Sequence, residues 1–128
     1  MKNIKRIILT FLFGTAMASV QANPDIVRSF SNGDVQRISS FLDNSVDLTI
    51  DRAGGLKNKM QVQDEISSFF RKHRPTNFNV THKTDKEKTG LMMGKLYTDS
   101  GIFQILILTK KEGAREFIRQ LKIEPSSN

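Results

Sequence analysis

Residues 102–108 read Ile-Phe-Gln-Ile-Leu-Ile-Leu, six apolar side chains in seven positions. Successive side chains of an extended strand point to opposite faces of a sheet, so a strand with one wet face alternates apolar and polar residues. This stretch is apolar on both faces, and any fold that contains it must cover both. Gly90 to Thr98, GLMMGKLYT, is a second extended run, and Thr98-Asp99-Ser100-Gly101 supplies the turn between the two. The alternating sets of the second run differ. Phe103, Ile105 and Ile107 are wholly apolar, whereas Ile102, Leu106 and Leu108 share their face with Gln104. The first set is therefore expected to lie against a helix. The second, with Leu106 at its centre, is expected at a pocket rim or a subunit interface.

The covering helix is legible. Asn58 and Gln61 have the spacing of a reciprocal cap, and Val62, Ile66, Phe69, Phe70 and His73 then recur at helical intervals. Arg71, Lys72 and Arg74 sit at the end, where cations favour the helix dipole, and Pro75 stops the run. Upstream, Asp25 to Leu42 reads as two short helices broken at Asn32-Gly33, with Asp34 capping the second. Val46 to Ile50 alternates as a strand with Asp47 on its polar face, and Ala53-Gly54-Gly55 reads as a turn.

Phe78, Val80 and His82 share one expected strand face, followed by a charged turn at Asp85 to Lys88. Ala114 to Ile123 fits a helix through Ala114, Phe117, Ile118 and Leu121, or a strand with Phe117, Leu121 and Ile123 on one face; the strand is preferred because the run at 101–109 needs a partner. The order is thus two short helices, a strand, a longer helix and four strands. Helices gathered early and strands gathered late indicate an α+β fold, with antiparallel pairing between strands joined by short turns.

The amino terminus constrains location. Met1-Lys2-Asn3-Ile4-Lys5-Arg6 is basic, Ile7 to Ala18 is apolar and uncharged, and Val20-Gln21-Ala22 places small or modest side chains before a cleavage point. This is the pattern of a secretory leader over residues 1–22, too short to span a bilayer. The expectation is one mature domain, 23–128, exported to the periplasm or secreted. Losing Lys2, Lys5 and Arg6 lowers the formal charge from +7 to +4, which weakens any case for nucleic acid. The 128 residues include no Cys, so neither disulfides nor a lipidated cysteine contribute.

Signs of chemistry are sparse. The two His are far apart in sequence and no Cys completes a zinc set, so no metal or other cofactor is expected. The glycines lack the spacing of phosphate-binding loops, and no nucleophile elbow is present. His82, Tyr97 and Leu106 are the candidates for a ligand pocket. Arg71, Lys72 and Arg74 are a weaker candidate anion site, since a solvated helix end accounts for such charges.

Three segments carry a family resemblance: FFRKHRPTNFNVTHK, GKLYTDSGIFQILILTK and the closing IRQLKIE. Together with the early FSNGDV helix break and the Val46-Asp47-Leu48 strand, they make the chain similar to small exported Bacteroidota proteins that carry a domain of unknown function. That family falls within the nuclear-transport-factor-two-like, cystatin-like α+β superfamily. The resemblance implies a curved antiparallel sheet wrapped around one long helix, with two short N-terminal helices, in a cone. It also implies that one side of the cone holds a ligand and that the outer sheet face forms a homodimer. It brings no established activity and no catalytic residue.

Three functions follow. The favoured one is an exported, non-enzymatic module that binds a small apolar ligand or a protein partner. The second is a cone-pocket enzyme of isomerase or dehydratase type, acting on a small hydrophobic substrate with His82, Tyr97 or Asp47. The third is a structural homodimer of the cell envelope. An enzyme needs convergent titratable groups, a carrier a dry cavity, and a structural dimer neither.

Overall fold

The computed structural model describes residues 23–126; the expected leader, residues 1–22, lies outside them. Two short helices, α1 (Pro24–Asn32) and α2 (Val35–Ser40), open the domain. The first ends at Asn32-Gly33 and the second is capped by the Asp34 carboxylate, which accepts from the Arg37 N–H. Next come β1 (Leu42–Ile50), β2 (Ala53–Asn58) and α3 (Lys59–Lys72). The strands β3 (Pro75–Asp85), β4 (Thr89–Thr98), β5 (Gly101–Glu112) and β6 (Arg115–Pro125) complete the chain. Asn58 and Gln61 form the reciprocal capping box that their spacing predicts. α3 is the longest of these helices, at 14 residues.

The six strands form one sheet in the order β2-β1-β6-β5-β4-β3. The ambiguous C-terminal segment is a strand, and it runs through the middle of the sheet. The expectation of a wholly antiparallel sheet needs correction. β6 pairs antiparallel with β5 but parallel with β1. Short turns fix the direction of sequence neighbours, whereas β1 and β6 meet across most of the chain, and no turn constrains them.

A second correction concerns β2. Ala53-Gly54-Gly55 is strand, and the turn is Asp51-Arg52, both at positive φ (50° and 71°). A two-residue hairpin loop of this geometry ordinarily carries Asn-Gly. Here a hydrogen bond from the Asp51 N–H to the Ile123 carbonyl, 2.9 Å, holds the turn against β6. Gly54 is needed inside the strand instead: a Cβ there would lie 2.1 Å from the Leu48 carbonyl oxygen.

The core lies between the helices and one sheet face. Ile26 and Phe30 of α1, Ile38 of α2 and Val62, Ile66, Phe69 and Phe70 of α3 meet Leu48, Leu96, Ile105, Ile107, Leu121 and Ile123 of the sheet. α1 packs on β3 and α3 on β1. Ile105 and Ile107 are fully buried while Leu106 and Leu108 are half-buried, so the two sets of β5 face as their composition predicts.

Two register shifts move side chains off their expected faces. Val80 pairs with Gly94 and His82 with Met93, so Thr81 is an extra residue in β3. His82 is thereby turned away from Phe78 and Val80 and is exposed on the outer face. In β6 a similar shift buries Ile118 beside Leu121 and Ile123, and puts Phe117 outside, between Lys110 and Arg115.

Candidate functional site

A cavity of about 430 Å³ opens where the C-terminal half of α3 crosses the end of the β1–β2 hairpin. Glu65, Ser68, Phe69 and Lys72 line it from one stripe of α3, because residues three and four apart share a helix face. Ile50, Phe103 and Ile123 add apolar surface from β1, β5 and β6.

The aromatic wall is organised by the end of α3. Arg74 and Asp99 exchange two hydrogen bonds of 3.0 Å, Arg74 N–H to the Asp99 carboxylate and Asp99 N–H to the Arg74 carbonyl. This fastens the helix end to the β4–β5 turn. His73 then shares a 2.5 Å hydrogen bond through Nδ1 with Ser100 Oγ. Its ring centroid lies 4.8 Å from Phe69 and 4.7 Å from Phe103, and those two phenyl rings meet edge to face at 4.9 Å. On the same lining, Lys57 Nζ and Glu65 Oε2 pair at 2.5 Å. The cavity thus has an aromatic side and one ion pair, with Asp51 and Lys72 also on its lining.

None of the three pocket candidates lines this cavity. They lie on the outer sheet face, which the helices leave open. His82, Met93, Leu106 and Lys122 form one cross-strand row over β3, β4, β5 and β6. Leu106 and Met93 border a shallow depression of about 340 Å³ with Gln104, Lys122 and Glu124. Tyr97 is on the same face, opposite Ile102. Of the anion candidates, Lys72 reaches the cavity rim, while Arg71 and Arg74 are exposed beyond it. Asp47 is exposed on the outer side of β1, between Leu56 and Gln120. Among the described residues no group of three or more His, Asp or Glu is placed to hold a metal ion, and no helix is long and apolar enough to cross a membrane.

The cavity residues escaped sequence reasoning for a simple reason. Phe69 and Phe103 carry the periodicity of core residues; Phe69 is core and Phe103 packs half-buried against it, and only the gap between α3 and the end of the β1–β2 hairpin makes them cavity lining as well.

Residues 23–124 match the family described as Domain of unknown function (DUF4783). The chain belongs to that family. A solved family member from Bacteroides uniformis superposes with a TM-score of 0.79 at 24% identity, over 84% of this chain and 100% of that one. A cystatin-like-fold protein of Nostoc punctiforme gives 0.64 at 12% identity, covering 82% of this chain and 73% of that one. A nuclear-transport-factor-two-like protein of Streptomyces avermitilis gives 0.62 at 12% identity, over 83% and 91%. No curated protein matches the chain. This DUF4783 domain therefore shares the nuclear-transport-factor-two-like fold, and at these identities the likeness speaks for the fold alone.

Proposed function

We propose that this DUF4783 protein is an exported, non-enzymatic binding module that takes a small apolar ligand into the cavity beneath α3. The observation that carries the reading is the wall of Phe69, Phe103 and His73 facing a void of about 430 Å³, within the size range of small-molecule sites. The arrangement favours binding over chemistry, because Lys57 and Glu65 of the lining are paired with each other. The basic, apolar and small-residue pattern of residues 1–22 supports export. In this reading the sheet curls about α3 as a cone, and the cavity is its mouth.

The test uses the exported protein and Nile red, an uncharged apolar dye. The wild type is expected to bind it with a blue-shifted emission. Phe103→Asp should keep the circular dichroism spectrum and lose the binding. Dye binding that persists in the folded variant would rule out this cavity as the site.

The open outer face supports a second reading, a homodimer. Leu91, Met93, Leu106 and Leu108 form a half-buried apolar block there, beside Tyr97 and Ile102.

A further inference from the structure

At the opposite end of the sheet, a cleft of about 250 Å³ separates the start of α1 from the ends of β3 to β6. Glu116 of β6 lies in it, half-buried. Its Oε2 accepts from Thr109 Oγ1 at 2.5 Å and its Oε1 from Asn23 Nδ2 at 3.0 Å. Thr109 is only 2% exposed. Gly90 leaves the room for this contact: a Cβ there would sit 2.7 Å from Thr109 Oγ1 and 3.0 Å from Glu116 Oε2. The other charges of the cleft are Lys83, Asp85 and Lys111, and Lys111 is paired with Asp85. Among the described residues Glu116 itself stands in no ion pair. A partly buried carboxylate held by neutral donors still has room for a charge-assisted hydrogen bond from a cation.

Asn23 is fixed on both sides of its amide. Oδ1 accepts from the Asp25 and Ile26 N–H groups, capping α1, which turns Nδ2 toward Glu116. Asn23 is also the first residue after the expected cleavage point, and the family match begins at the same position. We propose that Glu116 is the docking site for the α-ammonium group that leader removal creates on Asn23. The proposal rests on the export reading above. Before cleavage, residue 23 offers a neutral peptide N–H. Afterwards it offers a cation on the residue already bonded to Glu116. That cation stands at a helix N-terminus, where the dipole disfavours it, and Glu116 offsets the penalty. Processing would thus complete the anchoring of α1 to β5 and β6.

The experiment takes the exported protein, sequences its N-terminus, and measures the rate at which the α-amine is acetylated near pH 7, read on the N-terminal peptide by mass spectrometry. An ammonium held by a carboxylate releases less free amine, so the folded wild type should react about two- to fivefold more slowly than Glu116→Gln. In urea the two rates should converge. Equal rates in the folded proteins would overturn the ion pair. Should Glu116→Gln fail to fold, the wild type alone decides: its rate should rise from about 0.05 to 1 M salt as the pair is screened, and a salt-independent rate overturns the proposal. An N-terminus at Met1 would sink the leader reading and the proposal with it, whereas one at Ser19 would sink the proposal alone. An Asn23 terminus with equal rates would sink only the pairing.

Discussion

Phe69 and Phe70 are adjacent in sequence and serve different surfaces. Phe69 meets His73 and Phe103 at the cavity, and Phe70 lies next to it with ring centroids 5.7 Å apart. Each is only 7% exposed. Phe70→Ala should cost about 3–5 kcal/mol, since truncating a buried phenyl ring loses transfer energy and leaves a void. Urea unfolding measures it, and a loss below about 1 kcal/mol would show that the ring is not core. The burial of these residues was readable because α3 is regular and its 3.6-residue period holds to the last turn. His82 was misplaced for the converse reason. Alternation predicts a face only while every residue of a strand is paired, and the extra Thr81 inverts the count for all that follows. Phe117 and Ile118 exchange faces by the same mechanism.

At the scale of elements, helices and antiparallel hairpins were legible, and β2 was not. Glycines ordinarily mark the turn, but here they permit close strand contact while Asp51-Arg52 makes the bend. The β1–β6 pairing was equally hidden, since no local signal links segments so far apart. A charge contact reinforces that region across β6. Lys110 Nζ of β5 lies 3.2 Å from Asp43 Oδ2 of β1. Burial pushes the Asp43 carboxyl up. The Asn44 N–H and the Lys110 ammonium outweigh it, so the group lies below its usual range. Lys110 is raised above its ordinary value by hydrogen bonds to Asp43 and Glu112. A depressed carboxyl stabilises the fold fully above its unfolded value of about 3.9 and loses that contribution as pH falls through the folded one. Stability measured from pH 7 downward should therefore show a constant deficit for Asp43→Asn that closes below about pH 4. A raised lysine contributes below its unfolded value and fades only as pH climbs through the folded one. A deficit that grows with acid would contradict the pairing.

For the whole molecule, the apolar outer set of β5 remains the boldest reading of the sequence. Leu106→Lys is expected to leave the circular dichroism unchanged and, if the outer face joins two copies, to convert a sedimenting dimer to a monomer. Unfolding by Leu106→Lys with tolerance of Ile105→Lys would reverse the two faces. Function was less legible than fold because the cavity is a property of how two elements diverge, and no residue type signals divergence. The central place of β6 has a further consequence for how the molecule comes into being. Until residues 115–125 are available, the β1–β2 hairpin and the β3–β5 meander are two half-sheets with a gap between them. The seam closes only when the last strand made slides between the first and the one made just before it, and its pairing with the first, of high sequence separation, forms slowly. A nascent chain lacking its final strand thus carries two unpaired inner edges, open to any strand that reaches them first.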